Sequence, residues 1–184
     1  KHFTKILSLD LNQKKVTIQP GVIRDDLNRF LAPYGLYFGP NTSTSAYCML
    51  GGMVGNNSSG TTSIRYGVTR DKLLRIETLL SDGTDAVFEA KSSNELKQKK
   101  EQNTLEGAIY HSLTDLLSPT EVQKEIRKNY PNRAIHRRNT GYALDVLIDQ
   151  KPFNQNGPVF NIAKLLVFLA SFRVDFFRST QEIF

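Results

Sequence analysis

The sequence has 184 residues, of which 39% are hydrophobic and 23% charged, and its formal net charge is +6. This composition excludes a disordered chain, because enough apolar residues are present to form a core. The single cysteine, Cys48, excludes a disulfide within the chain and a metal site made of several cysteines. The longest largely apolar run, residues 165–172, includes Ser171 and is far shorter than the about 20 residues of a membrane span. We therefore expect no transmembrane segment and a reducing, cytoplasmic compartment.

The first predicted elements are a β-hairpin and a helix. Residues 5–9 and 15–19 alternate apolar and polar side chains on either side of a polar turn, which is typical of paired strands. A helix is predicted next, because apolar residues recur at i, i+4, i+7 and i+8: Ile23, Leu27, Phe30 and Leu31. Pro33 and Gly35 are expected to end this helix.

Periodicity disappears over residues 37–67 and then returns. Residues 74–80 and 86–90 flank an Asp-Gly turn, which predicts a second hairpin. Residues 92–103 are polar and are expected to form a solvated loop or a frayed helix. Strands and helices alternate without a βαβ rhythm, so the predicted class is α+β, with an antiparallel sheet flanked by helices.

Two helices are predicted in the following segment. The first has an apolar face formed by Ile109, Leu113, Leu116 and Leu117. The second is expected to begin at a capping box over residues 118–121, with Pro119 at its first helical position, and to end before Pro131.

The segment without periodicity has an unusual composition. Between Gly39 and Gly60 there are five glycines, three asparagines and six Ser or Thr residues, and there is no charged residue. Glycines let the backbone approach a ligand closely, and successive backbone amides with neutral hydroxyls can bind an anion or the edge of a flat heteroaromatic ring. A loop that merely turns is equally compatible with this composition. The spacing fits neither a Walker loop nor the G-x-G-x-x-G pattern.

Several ordered blocks carry a resemblance to a known family. They match the FAD-binding domain of FAD-linked oxidases, the vanillyl-alcohol-oxidase-like or PCMH-type group that includes D-lactate, glycolate and D-2-hydroxyglutarate dehydrogenases. Residues 130–145 resemble the long form of this group, in which an iron–sulfur domain follows. The principal matching blocks are residues 16–22, 27–36, 39–45, 50–60 and 65–67.

The resemblance implies FAD as cofactor and a hydride transfer from a D-2-hydroxy acid to the flavin N5. It implies a small 2-hydroxy-acid substrate and an electron acceptor as partners of the full-length protein, and an iron–sulfur cluster in its downstream part. Residues 1–167 would form the second subdomain of the FAD-binding domain, with no catalytic residue and no metal ligand in this fragment. The residues that match cofactor-binding positions are Pro40, Asn41, Thr42, Ser43, Thr44, Ser45, Gly51, Gly52, Asn56, Asn57, Ser58, Ser59 and Gly60.

Two departures from the family pattern set further expectations. The first subdomain, with its pyrophosphate loop, and the substrate-binding cap do not match any part of this sequence. The match also stops at residue 167, so residues 168–184 are interpreted as a non-matching tail from a frame change or truncation. We expect weak FAD binding and no dehydrogenase activity from this chain alone. A homodimer is expected through the apolar residues of the tail: Phe168, Phe172, Phe176 and Phe177.

Other functions receive less support from the sequence. His2, His111 and His136 lack metal-ligand spacing, and Cys48 is expected to be a buried, inert thiol. Basic clusters at residues 97–100 and 133–138 leave a nucleic-acid-binding module as an alternative, but stacking aromatics are scarce there, so no nucleic-acid partner is expected. A catalytically inactive structural or interaction fragment is the other alternative. A location peripheral to the inner membrane is compatible with all these functions.

Overall fold

The structure is a computed structural model that describes residues 2–132, 134–135, 137–138, 141–165, 171–177 and 179–180. The strands are β1 (Ile6–Asp10), β2 (Lys15–Ile18), β3 (Leu36–Tyr37), β4 (Leu73–Leu79), β5 (Asp85–Phe88), β6 (Ala90–Lys91), β7 (Phe160–Asn161), β8 (Ser171–Phe177) and β9 (Ser179–Thr180). The α-helices are α1 (Arg24–Leu31), α2 (Leu50–Gly55), α3 (Ser63–Tyr66), α4 (Thr69–Lys72), α5 (Ser93–Lys100), α6 (Leu105–Leu117), α7 (Thr120–Asn129) and α8 (Leu144–Leu147). Short 3-10 helices follow α1 at Ala32–Tyr34 and β7 at Ile162–Lys164.

The main sheet has five strands in the order β1-β2-β8-β4-β5, and each neighbouring pair is antiparallel. This arrangement confirms the predicted α+β class with an antiparallel sheet. The central strand β8 comes from residues beyond position 167, where we expected the resemblance to the family to stop, and it pairs on both edges with β2 and β4. The backbone of the sequence-divergent segment therefore completes the sheet, while Phe168 lies outside the described residues.

Both predicted hairpins are present. β1 pairs with β2 from Asp10↔Lys15 to Ile6↔Ile18, and the Asp10 carboxylate accepts the Gln13 N–H at 2.9 Å in the turn. In the β4–β5 hairpin, Gly83 has a φ of 82°, a conformation that favours glycine. One boundary differs from the prediction, because Ala90 belongs to β6, which pairs with β7 rather than β4.

The predicted helices are present, but two apolar faces are shifted. In α1, Leu27 and Leu31 are fully buried, whereas Phe30 is 39% exposed. In α6 the buried residues include Tyr110 and Thr114, and Leu116, which we expected in the core, is exposed. A Tyr or Thr can occupy an interior position when packing and hydrogen bonds permit, and the Thr114 hydroxyl donates to the Tyr110 carbonyl at 2.9 Å.

The helix starts differ from the sequence-based expectation. Pro119 is the N-cap of α7, and no side chain caps this helix, because the Ser118 hydroxyl instead donates to the Thr114 carbonyl at 2.6 Å. The predicted capping box at residues 118–121 is therefore wrong. A capping box is found at α5, where Ser92 and Glu95 exchange hydrogen bonds. Residues 93–100 are consequently a defined helix.

Short helices also interrupt the segment that was expected to lack regular structure. α2 and α3 lie within residues 37–67, and α2 buries Leu50 and Met53 in the core beside Leu27 and Leu31 of α1. Burial of each such side chain contributes about 1.5–3 kcal/mol relative to exposure. The apolar core thus fixes α1 and α2, between which the glycine-rich segment runs. Among the described residues, no helix has both the length and the hydropathy of a membrane span.

Candidate functional site: a glycine-lined cavity

A cavity of about 640 Å³ opens beside α2, a volume within the usual range of ligand pockets. Three parts of the chain form it: the amino terminus, the turn after β2 and the segment from residue 42 to residue 58. We call it the glycine cavity. Its lining residues are Phe3, Pro20, Gly21, Thr42, Thr44, Tyr47, Cys48, Met49, Gly51, Gly52, Met53, Asn56 and Ser58.

The first wall of the glycine cavity is held by the amino-terminal turn of α1. Arg24 donates from Nε to the Pro40 carbonyl at 3.1 Å and from Nη2 to the Phe38 carbonyl at 3.3 Å. Asn28 accepts the Phe38 N–H at 2.6 Å. These bonds hold the backbone in place just before Thr42 and so help to position the side chains that follow.

The same helix turn anchors the far end of this segment. The Asp25 carboxylate accepts the Ser45 hydroxyl at 3.0 Å and pairs with Arg24 at 2.9 Å. The hydrogen bond from Arg24 holds the pKa of Asp25 below its usual value, against the opposing effect of burial. Residues 40–45 are therefore bound at both ends to α1.

The second wall is the loop from Asn56 to Gly60. Asn57 is 2% exposed with a φ of 45°, and its Oδ1 accepts the Arg70 N–H at 2.9 Å. The Ser58 carbonyl accepts both the N–H and the hydroxyl of Thr69, at 2.9 and 2.6 Å. Gly60 has a φ of 135°, and a Cβ there would overlap the Asn41 carbonyl oxygen. The two walls thus meet at a contact that requires glycine.

The two glycines of α2 have different surroundings. A Cβ on Gly51 would lie 2.6 Å from the Pro20 Cβ, so this glycine allows close packing between α2 and the turn after β2. A Cβ on Gly52 would have no atom within 4 Å. Since Gly52 lines the cavity, a side chain added there would project into open space that a ligand can use.

The structure brings only part of the predicted site together at the cavity. Six of the predicted residues line it: Thr42, Thr44, Gly51, Gly52, Asn56 and Ser58. The other predicted residues lie in the adjoining backbone outside this lining and hold the two walls in place or extend them: Pro40, Asn41, Ser43, Ser45, Asn57, Ser59 and Gly60. The cofactor contact of each residue stays a prediction.

Sequence reasoning missed the apolar part of the lining. Phe3, Tyr47, Met49 and Met53 border the cavity, and Tyr47 is 83% exposed. Phe3 is more than forty residues away from the other three, so no local pattern in the sequence could have grouped them. Cys48, expected to be buried, is half-buried, and its Sγ lies 3.2 Å from the Thr42 hydroxyl.

The lining of the glycine cavity is neutral. It combines hydroxyl and amide groups with aromatic and thioether side chains, and no Lys, Arg, Asp or Glu is among the described residues that form it. Such a surface suits a flat heteroaromatic ring, whose edge needs hydrogen-bond donors and acceptors and whose faces need apolar contacts. It offers no side-chain charge to neutralise a phosphate.

The competing candidates for a site are weak in the structure. Within the basic cluster 97–100, Lys99 pairs with Glu106 at 2.6 Å and Lys100 with Asp115 at 3.4 Å, which offsets much of its charge. In the part of the chain that the structure describes, no group of three or more His, Cys, Asp or Glu residues could hold a metal ion. His136 and Arg133 lie outside that part.

Residues 1–88, which contain the whole glycine cavity, match the family described as FAD binding domain. This part of the chain is therefore similar to an FAD-binding domain. Its relatives include D-2-hydroxyglutarate dehydrogenase of Haemophilus influenzae, 32% identical over 90% of this chain and 16% of that protein. Glycolate oxidase subunit GlcD of Bacillus subtilis is 37% identical over 45% of this chain and 18% of its own length. A solved alkyldihydroxyacetonephosphate synthase is 26% identical, with a TM-score of 0.43 over 48% of this chain and 16% of its own.

The relatives are named as dehydrogenases and oxidases, so the family is one of enzymes. This chain spans about 16% of the length of the D-2-hydroxyglutarate dehydrogenase that it matches. The segment that matches is therefore a small part of those relatives.

Proposed function

We propose that the glycine cavity is one wall of the FAD site of an oxidoreductase that oxidises a small D-2-hydroxy acid. The observation that carries this proposal is Gly52, whose Cα faces open space within a neutral cavity that lies inside the family match. Both the proposed substrate class and an electron acceptor follow the relatives' names, D-2-hydroxyglutarate dehydrogenase and glycolate oxidase. We also propose a cytoplasmic location, peripheral to the inner membrane.

The lining residues divide into two roles. Thr42, Thr44, Asn56 and Ser58 would bind the polar edge of the flavin and its ribityl chain through neutral hydrogen bonds. The exposed ring of Tyr47 and the neighbouring methionines would cover an apolar face. FAD, when bound, supplies the hydride acceptor, and the chain's contribution is to orient it and exclude water.

FAD binding by this chain alone should be weak. The described residues that line the glycine cavity include no cation for the pyrophosphate, so we propose that another part of the full-length protein supplies the charge-assisted bonds. Without three such bonds, at about 1.5–3 kcal/mol each, the binding free energy would fall by about 5–9 kcal/mol. A nanomolar site would then become a micromolar to millimolar one, since each 1.4 kcal/mol is about tenfold in affinity. We also expect no turnover, because the family's substrate-binding cap, which would position the substrate, matches no part of this sequence.

Titration of FAD into three versions of the chain, followed by flavin fluorescence, tests the proposal. Gly52→Val should weaken FAD binding at least about tenfold, because its side chain would occupy the ligand's space. Thr61→Val, at an exposed position in the same segment but outside the cavity lining, should leave the affinity unchanged. Equal affinity in wild type and Gly52→Val, with intact folding, would contradict the assignment.

A homodimer that uses the carboxy-terminal segment is a further proposal about partners. Its support is the apolar sequence of residues 165–172 and the phenylalanines that follow. Sedimentation equilibrium should give a dimer for the wild-type chain and a monomer for Phe168→Asp. A monomeric wild type at all concentrations would contradict the proposal.

A further inference from the structure

A second cavity, of about 440 Å³, lies outside the family match. Residues of α5 and its preceding strand form one side, His111 of α6 another, and residues 151–160 the third. We call it the lysine cavity. It shares no lining residue with the glycine cavity, so the flavin proposal gives it no role.

The interior of the lysine cavity is apolar. Leu96 of α5 and Phe160 of β7 are 6% and 1% exposed and belong to the core, so they form a rigid floor. Pro152 and Val159 complete the apolar surface, and Val159 is 43% exposed. Apolar area left open in this way favours a ligand that carries a hydrocarbon or aromatic group.

The border of the lysine cavity is basic. Lys91, Lys97, Lys100 and Lys151 line it, whereas Glu101 is the single acidic residue in the lining. Lys91 pairs with Glu89 at 2.7 Å and Lys100 with Asp115 at 3.4 Å.

Two of these lysines remain unpaired within the described part of the chain. There, neither Lys97 nor Lys151 has an ion-pair partner, although both line the cavity. His111, also in the lining, has its own carboxylate partner, because its Nδ1 lies 3.0 Å from Asp115. Two ammonium groups beside an apolar floor are therefore not in an ion pair with any carboxylate of the described residues.

We propose that the lysine cavity binds an amphipathic monocarboxylate, with its apolar group on the Leu96–Phe160 floor and its carboxylate at Lys97 and Lys151. A single negative charge fits better than a phosphate dianion, because Glu101 adds repulsion and no arginine lines the cavity to grip phosphate oxygens. The apolar floor likewise disfavours a nucleic-acid backbone. This assignment is independent of the proposed FAD site.

Calorimetric titration of the 184-residue chain with octanoate tests the inference, with octanol and octylammonium as matched probes. Octanoate should bind saturably, at least about fivefold tighter than octanol, and octylammonium should not bind. Lys97→Gln and Lys151→Gln should each weaken octanoate binding by about fivefold, the effect of one partly exposed ion pair of about 1 kcal/mol. Lys124→Gln, on exposed α7 and outside the cavity, is the control and should change nothing.

A fourth variant separates loss of the site from loss of the fold. Val159→Glu places a negative charge in the cavity at an exposed position, so it should abolish octanoate binding while the thermal unfolding midpoint stays near that of wild type. Octanol binding as tightly as octanoate, or lysine variants equal to wild type, would overturn the inference. Absence of saturable octanoate binding, or displacement of octanoate by a short oligonucleotide, would overturn it as well.

Discussion

The glycine cavity and the lysine cavity are of similar scale but are built in opposite ways. The first is neutral, and its walls come largely from one continuous run of residues whose backbone approaches the open space. The second is basic, and its walls are side chains from three separated segments. A site encoded in contiguous backbone leaves a compositional signature in the sequence, whereas a site assembled from distant side chains does not.

The largest expected effect concerns the close backbone contact between Gly60 and Asn41, where the two walls of the glycine cavity meet. Gly60→Ala should lower the free energy of unfolding by about 3 kcal/mol or more, because left-handed strain adds to a clash with the Asn41 carbonyl. The matched control is Gly83→Ala, where φ is also positive but a Cβ meets nothing, so the loss should be about 1 kcal/mol. Urea denaturation measures both, and equal losses would show that the contact between the walls is unimportant.

A second prediction concerns the charge of Lys164, which lies in the 3-10 helix that follows β7. Lys164 donates to the Arg70 carbonyl at 2.8 Å, and burial lowers its pKa from 10.5 to about 8. Between these two values the unfolded chain binds more protons, so this lysine should make the free energy of unfolding rise with pH. The gain should be on the order of 1–3 kcal/mol between about pH 8 and pH 10.5, with the penalty fully present at lower pH.

Lys164→Met isolates this contribution. Denaturation at several pH values should show a smaller rise of stability with pH in the variant than in the wild type. Lys97→Gln, at the exposed border of the lysine cavity, should keep the wild-type slope. If the free energy of unfolding rises equally with pH in wild type and Lys164→Met, the lowered pKa of Lys164 is contradicted.

Two neighbouring asparagines at the glycine cavity are expected to have different roles, one in stability and the other in ligand binding. Asn57→Ala should cost about 1–2 kcal/mol of stability, because the partly buried Arg70 N–H loses the acceptor that the buried Asn57 side chain provides. Asn56→Ala, at an exposed position in the lining, should be nearly neutral for stability but should reduce FAD affinity. Thermal unfolding combined with flavin titration checks both, and the reverse pattern would exchange the two roles.

The smallest expected effect is a difference in stability between the loss of a paired lysine and the loss of an unpaired lysine near the lysine cavity. Lys99→Gln breaks a partly buried pair with Glu106 and should cost about 1 kcal/mol, whereas Lys97→Gln should change stability by less than about 0.5 kcal/mol. Chemical denaturation measures this difference. A larger cost for Lys97→Gln would mean that its ammonium is already engaged.

The accuracy of the sequence-based predictions follows the same division. Turn chemistry at Gly83 and the uncharged run from Gly39 to Gly60 both act locally. The first correctly identified a hairpin, and the second predicted a site in the segment that lines the glycine cavity. The buried face of α6 could not be predicted, because Tyr110 is buried by Phe88 and Phe160 from other elements. The sequence could not show which predicted residues line the cavity and which support it. That division depends on α1, because Arg24 donates a hydrogen bond to the Pro40 carbonyl, 16 residues further along the chain.

The central claim is that FAD contacts the glycine cavity, and amide chemical shifts of the ¹⁵N-labelled chain test it most directly. Addition of FAD at about 150 mM salt, where exposed charges are screened beyond about 8 Å, should shift the amides of Thr42, Gly52 and Ser58 saturably. The amides of Lys97 and Lys151 should stay in place. Saturable shifts confined to the lysine cavity, or none along residues 42–58, would contradict the account.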